Sequence, residues 1–290
     1  MKIVRFRHAG QVSMGLLDGA TITPLQRFGD MQSLIQALAG DHPSPSDLLA
    51  DEARKGIPLS DVHLLAPIIP QRNVLCVGWN YLKHFDEGIG KRGQHEVELP
   101  EVPTFFSKLP TTVADPFDDL PLHEAHTQKL DWEVELAVII GKKGRDIPEE
   151  QALEYVFGYC AANDLSARDL QRAHGGQWFK GKSLDGTCPL GPWVLTADEL
   201  KDPQTLHLQC HVNGEQMQRG HTRQQIFPVG RIIAELSAGL TLLPGDIILT
   251  GTPDGIGAAR NPPIFLRDGD VLETSIDQLG TMRNTIRAGL

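Results

Sequence analysis

Glu133 and Glu135 stand two residues apart in LDWEVELAVIIG, the stretch from Leu130 to Gly141, where Trp132, Val134, Leu136 and Val138 alternate with Glu133, Glu135 and Ala137. That alternation predicts a strand, and in a strand the two carboxylates project together on one face. Held side by side, they repel unless a cation or a shared proton lies between them. An all-oxygen acidic pair suits Mg²⁺, Mn²⁺ or Ca²⁺ rather than a thiolate-seeking metal. A half-solvated strand with a polar outer face is the other reading. Asp164, at the end of the apolar run YVFGYCAAND, is placed either to add a third metal ligand or to cap the SARDLQ turn that follows.

His84 and Glu87 are three residues apart in LKHFDEGIG and would share a face of one helical turn. There a carboxylate orients an imidazole and raises its basicity, giving a general base for water. An exposed helical turn without that role has the same pattern. Lys108 ends the strand-like PTFFSKLPTTV and is either solvated or a carboxylate binder beside the acidic pair. Lys182, in the glycine-rich HGGQWFKGKSLDGTCPLGPW, has the charge to stabilise an enolate or a carboxylate. LLPGDIILTGTPDGIG reads as a strand entering a tight loop whose backbone N–H groups and Thr252 hydroxyl form either a small anion nest or an ordinary turn. Arg168 and Asp169 read as a local ion pair.

The elements that must position these residues follow from the same patterns. KIVRF and SMGLLDGATITPL predict a small antiparallel meander with turns at Ala9-Gly10 and Asp18-Gly19. MQSLIQALAG predicts a helix with Gly40 as C-cap. Residues 1–67 form a small N-terminal accessory domain on this reading, Leu65 to Pro70 a linker, and residues 68–290 the domain that carries the chemistry. NVLCVGWNY is a strand ending near the His84 turn, and GIGKRGQHEVELPEVP beyond it has the composition of a mobile lid. RDIPEEQALEY predicts a helix start with Asp146 as N-cap and a proline in the first turn. HGGQWFKGKSLDGTCPLGPW predicts a long ordered loop, LHLQCHVNGEQMQRG a hairpin turning at Asn213-Gly214, Phe227 to Leu240 a helix, and LRDGDVLETSIDQLGTMRNTI two closing strands.

Composition narrows the function classes. A chain of 290 residues has room for one large or two modest domains. The net charge of −10 argues against broad nucleic-acid or anionic-membrane binding, while leaving room for a local cluster that takes a small anion. No apolar stretch approaches the ~20 residues of a bilayer span, and the opening MKIVRFRHAG has no signal-peptide hydrophobic region, so the expected location is cytoplasmic. Cys76, Cys160, Cys188 and Cys210 are scattered with no CxxC pair and read as core thiols of a reducing compartment. No GxxxxGK[ST] or GxGxxG register is present to cradle a phosphate.

In this order and at these distances, NVLCVGWNYLKHFDE, PTFFSK, LDWEVELAVIIGK, NDLSARDLQ, KGKSLDGTCPLGPW, VNGE and GDIILTGTPDGIG resemble the fumarylacetoacetate hydrolase family. The resemblance covers about Pro70 to Ile286, and the initial stretch is similar to the small N-terminal domain of many bacterial members. It implies an α+β fold with a mixed β-roll core and flanking helices, usually a homodimer, and a Mg²⁺ or Mn²⁺ site. By the same resemblance Glu133, Glu135 and Asp164 are metal ligands, His84 and Glu87 a lid dyad, and Lys182 a catalytic lysine. Lys108, Arg168 and Thr252 would contact substrate. The branch containing fumarylacetoacetase proper adds a further aspartate ligand and a much longer N-terminal domain, so this chain looks more like the acylpyruvase and decarboxylase branch.

The activity this implies is hydrolysis of a C–C bond in an acylpyruvate, such as fumarylpyruvate from aromatic catabolism, to pyruvate and a carboxylic acid. His84 would activate water while Lys182 and the metal stabilise the enolate. The same apparatus would also suit decarboxylation of an oxaloacetate-like acid, or, if the dyad only moves protons, keto-enol tautomerisation or double-bond isomerisation. A metal-stabilised binding protein without activity is the remaining class.

Overall fold

The computed structural model describes residues 1–38, 56–90 and 98–290. β1 (Lys2–His8), β2 (Gln11–Asp18) and β3 (Thr21–Leu25) form the expected antiparallel meander. Helix α1 (Met31–Leu38) buries Met31, Leu34 and Ile35, the i, i+3, i+4 stripe of its sequence. Its expected C-cap, Gly40, lies outside the described residues, as do residues 91–97 of the expected lid. The stretch from Leu65 to Pro70 is no loose connector. It begins inside a short strand, His63–Leu65, that pairs with β1, and Ala66, Ile68 and Pro70 are buried.

β4 (Val74–Gly78) leads to α2 (Leu82–Glu87) and β5 (Thr104–Lys108). β6 (Val134–Ile140) and β7 (Val156–Asn163) are buried along their whole lengths, so neither has a solvated face. The segment before β7 is a 3₁₀ helix, Glu149–Tyr155, and Asp146 does not cap it. Asp146 instead sits at φ +52° with its Oδ1 accepting the Gly239 N–H. Between Pro148 and a strand beginning at Val156 the chain has seven residues, and the 3₁₀ form covers about 2.0 Å per residue against about 1.5 Å for the α form.

After α3 (Arg168–Ala173), α4 (Phe179–Lys182) and the first part of β8 (Cys188–Thr196) replace half of the expected long loop with regular structure. Pro189 and Pro192 obscured that strand. Its register with β7 is irregular opposite Tyr159–Ala161, where a ladder tolerates a residue with no N–H. The hairpin β9 (His207–Val212) and β10 (Glu215–His221) turns at Asn213–Gly214 as expected. Helix α5 (Val229–Ser237), β11 (Ile247–Leu249), β12 (Val271–Ile276) and β13 (Gly280–Arg287) complete the chain.

Among the described residues these strands build a 12-stranded mixed sheet whose main path runs β3-β2-β1-β8-β7-β6-β11-β4-β5, and a 5-stranded sheet running β10-β9-β12-β13 to Leu120–Pro121. The N-terminal meander joins the large sheet through the antiparallel pair β1–β8. β6 packs against both cores. Val134, Leu136 and Val138 belong to one buried cluster with Leu272 and Met282 of the smaller sheet, and Ala137 and Ile139 share the other cluster with Leu34 and Ile35 of α1. This is the sheet-dominated α+β architecture with flanking helices that the motifs implied. It holds the N-terminal end of β6 rigidly at the centre.

Candidate active site

Glu133 lies just outside β6, not within a strand running from Leu130. Leu130–Asp131 pairs with Ser166–Ala167, and the ladder of β6 begins only at Val134. Side chains from β7, its ladder partner, and from β10 make the break. Asn163 Oδ1 accepts the Glu133 N–H at 2.9 Å, and Gln218 Oε1 accepts the Val134 N–H at 2.9 Å. The Asp164 N–H donates to Glu133 O at 2.8 Å, so the end of β7 is tied to the start of β6. That tie brings Asp164 beside the two glutamates. Carboxylate oxygens of Glu133, Glu135 and Asp164 lie within 4.8 Å of one another, all three buried, which rules out the half-solvated strand.

Protein cations surround the three. Lys182 Nζ lies 2.7 Å from Glu133 Oε2 and 2.6 Å from Asp164 Oδ2. Lys108 Nζ lies 2.8 Å from Asp164 Oδ1 and donates to Leu165 O at 3.2 Å. Arg168 Nη2 lies 2.7 Å from Glu133 Oε1, and its Nε donates to Asp131 Oδ2 at 2.8 Å. Burial opposes ionisation of Glu133, yet Lys182 and then Arg168 hold its carboxyl well below the usual range. Burial also works against the charges of Lys182 and Arg168, and their carboxylate partners more than restore them, so both are pushed up. Glu135 goes the other way. Its burial, followed by the charges of Asp164 and Glu133, pushes its carboxyl well above the ordinary value, although the Gly251 N–H donates to Oε2 at 2.6 Å.

The dyad reaches the same site from α2. His84 Nδ1 and Glu87 Oε1 are 2.7 Å apart, and Glu87 Oε2 accepts the Gly255 N–H at 2.8 Å. With Nδ1 engaged by a carboxylate, Nε2 is the ring nitrogen left for proton exchange. The loop after β11 therefore spends its N–H groups on protein carboxylates and does not form an open nest. Gly251 and Gly255 have φ of +98° and +103°, and a Cβ at Gly255 would come within 2.2 Å of Met217 O, so no other residue type presents these N–H groups without strain. Thr252 is engaged likewise. Its hydroxyl donates to Val134 O at 2.9 Å and accepts from Gln218 Nε2 at 2.8 Å.

A cavity of about 400 Å³ opens onto these groups, with His84, Glu133, Glu135, Arg168, Lys182 and Thr252 in its wall. Trp79, Phe106 and Trp178 supply an aromatic side, with Trp178 edge-on to both other rings at centroid distances of 4.7 and 5.2 Å. Lys108 is not in the wall. It is fully buried behind Asp164, so the structure gives it the task of compensating that carboxylate rather than of touching substrate. Asp131, Asn163 and Gln218 were missed by sequence reasoning. Asp131 is fully buried and accepts the N–H groups of Gly257 and Ala258 besides Arg168, and its one sequence signal is its place in the strand-like run before Trp132.

The donor set fits a hard divalent cation. It offers three carboxylates with no thiolate or imidazole among them. Asp131, Glu133, Glu135 and Asp164 outnumber the cationic Lys108, Arg168 and Lys182 by one. Glu135, with its raised carboxyl, carries the consequence of that imbalance.

Residues 73–287 match the family model described as fumarylacetoacetate (FAA) hydrolase C-terminal, and residues 1–67 match that described as Rv2993c-like, N-terminal. The chain is 46% identical over 229 residues to oxaloacetate tautomerase YisK of Bacillus subtilis, covering 79% of this chain and 74% of that one. It is 44% identical over 231 residues to the human protein named oxaloacetate tautomerase FAHD2A, mitochondrial, covering 79% and 71%. Among solved structures, a fumarylacetoacetate hydrolase from psychrophilic Exiguobacterium antarcticum matches with a TM-score of 0.85 at 39% identity, covering 99% of each chain.

Proposed function

The chain belongs to the fumarylacetoacetate hydrolase family, and from that premise we propose that it is a metal-dependent tautomerase interconverting the enol and keto forms of a short 2-oxo dicarboxylate of the oxaloacetate type. The observation that carries this reading is that His84, bonded to Glu87, lines the same cavity as Glu133 and Glu135, with Asp164 beside those two, in a chain 44% and 46% identical to proteins named for that reaction. Acylpyruvate hydrolysis, the first expectation from sequence, becomes the second reading.

Tautomerisation moves one proton between the 2-oxygen and the adjacent carbon. His84, held by Glu87 with Nε2 free to exchange, accepts and returns that proton. Lys182 supplies fixed positive charge where the 2-oxygen becomes an enolate, and Arg168 orients the carboxylate next to it. Trp79, Phe106 and Trp178 keep that side of the cavity apolar, which strengthens both charge interactions. Held by Glu133, Glu135 and Asp164, a Mg²⁺ or Mn²⁺ ion would act as a Lewis acid on the 2-oxo group and lower the cost of removing a proton from the neighbouring carbon.

Loss of the enol absorbance of freshly dissolved oxaloacetate, with Mg²⁺ and with EDTA, tests the proposal, with pyruvate and CO₂ followed in the same samples. Mg²⁺-dependent acceleration of enol loss above the buffer rate, without pyruvate, supports it. The second reading rests on the similarity to the Exiguobacterium hydrolase. Turnover of acetylpyruvate or fumarylpyruvate to pyruvate and a free acid, with no effect on enol oxaloacetate, would replace tautomerisation with hydrolysis. Pyruvate and CO₂ from oxaloacetate would make the protein a decarboxylase.

A further inference from the structure

Among the described residues, the wall of the cavity changes character outward from Lys182. Lys182 Nζ stands 4.9 Å from the centroid of the Phe106 ring. The Trp178 ring follows, 5.2 Å from that of Phe106, and the Trp79 ring stands 4.7 Å from Trp178. All three residues line the cavity, so an aromatic row begins beside the cation proposed for the enolate oxygen. A four-carbon diacid, polar at both ends, has no group to lay against that row. The cavity, at about 400 Å³, also falls in the range of about 300–1,000 Å³ that encloses ligands of drug size. The backbone is shaped to keep the rings there. Trp79 sits at φ +55°, a region that a bulky side chain rarely adopts. A Cβ on the preceding residue, Gly78, would overlap the six-membered ring of Trp178. The Lys182 N–H donates to Trp178 O at 3.1 Å, so the single turn of α4 carries the indole at its start and the cation at its end.

We propose that the site also tautomerises arylpyruvates, 2-oxo acids whose third carbon carries a flat aromatic group, with that group lying against Phe106, Trp178 and Trp79. The proposal rests on the tautomerase reading for the placement of the 2-oxo acid end at Glu133, Glu135 and Asp164, with the 2-oxygen toward Lys182. From there the substituent on the adjacent carbon is the part of the molecule that reaches the first ring. In the step itself the enol O–H bond breaks and its electrons form the C=O bond, while the C=C pair takes up a proton at the third carbon. His84 accepts and returns that proton, and no co-reactant is consumed. An aryl group conjugated to the enol is held flat, and it packs offset or edge-on against aromatic neighbours. Phe106, Trp178 and Trp79 determine specificity on this account and move no proton.

The test uses the full chain with Mg²⁺. Loss of enol absorbance above the buffer rate is followed for phenylpyruvate and for oxaloacetate, and calorimetry compares phenyllactate with lactate, a pair that differs only by the ring. The wild type should accelerate enol loss from both acids and bind phenyllactate at least about tenfold more tightly than lactate. Trp178→Leu should lower kcat/KM for phenylpyruvate about tenfold more than for oxaloacetate, with Trp178→Phe recovering part of the difference. Gly78→Ala, which displaces the indole without removing it, should move the same ratio in the same direction. Turnover of enol oxaloacetate with none of enol phenylpyruvate, equal binding of phenyllactate and lactate, or a ratio unmoved by these substitutions would overturn the assignment. If neither enol is turned over, tight phenyllactate binding that is lost in Trp178→Leu would remove the tautomerase reading and keep this wall as an aryl subsite.

Discussion

Asp131 Oδ2 accepts the Nε–H of Arg168 at 2.8 Å, with both side chains buried. The same carboxylate takes the N–H groups of Trp132, Gly257 and Ala258, so it locks the loop after β11 and the start of α3 to the residue before Glu133. Arg168 then spans from this anchor to Glu133. Asp131 therefore acts on the site at one remove, by fixing the cation that holds a metal ligand.

Removing that anchor leaves Arg168 buried with one partner fewer and takes the acceptor from three backbone N–H groups, those of Trp132, Gly257 and Ala258. Asp131→Ala should destabilise the fold by about 3–5 kcal/mol, the usual result of breaking a buried pair from one side. The urea midpoint reads it. A midpoint equal to that of the wild type would mean that the loop and Arg168 are held by something else.

Lys108 gives a test that separates a structural cation from a substrate contact. It is fully buried with Nζ 2.8 Å from Asp164 Oδ1. Lys108→Met should lower stability in EDTA by about 3–5 kcal/mol, since Asp164 loses one of its ammonium partners. Added Mg²⁺ should restore part of the loss by supplying charge to the same carboxylate. A variant of unchanged stability whose only defect is a raised KM would return Lys108 to the substrate.

His84 should affect rate alone. Its ring lines the cavity and bonds Glu87, while the three carboxylates are held by other residues. His84→Gln is expected to slow Mg²⁺-dependent turnover by about 10²–10⁴-fold with Mg²⁺ affinity and melting temperature unchanged. Full activity in this variant would remove it as the proton carrier.

The motif residues were legible because each places a charged side chain where the surrounding pattern is apolar, as Glu135 does in β6 and Asp164 at the end of β7. What hid the rest was contact over long sequence separations. Nothing near Glu133 shows that Asn163 and Gln218 will take the backbone N–H groups of residues 133 and 134 and stop the strand there. Lys108 at the end of β5 reads the same whether it faces solvent or Asp164. Thr252 reads as an open hydroxyl until Val134 O and Gln218 are seen to occupy it. The helices and hairpins fared better where a local period or turn pair decides them, as in α1 and at Asn213–Gly214, and worse where prolines hid β8.

Glu135 makes the metal hypothesis a statement about stability. Burial, Asp164 and Glu133 raise its carboxyl in the folded chain above its value in the unfolded one. An acid shifted this way binds its proton more tightly when folded, so its contribution to stability is full below the unfolded value, near pH 4.3, and is lost as pH rises through the folded value. Glu133 is shifted down, so its contribution is present above that range and is lost in acid. In EDTA, then, the wild type should lose stability relative to Glu135→Gln as pH rises from about 5 to 8, because the glutamine cannot ionise. Mg²⁺ should reverse the order, stabilising the wild type increasingly toward pH 8 while leaving the variant almost unmoved. Melting temperatures of both proteins across that pH range, with Mg²⁺ and with EDTA, give the comparison directly. Parallel pH profiles in EDTA would mean that Glu135 is compensated without a metal, and an equal Mg²⁺ shift in both proteins would place the ion elsewhere.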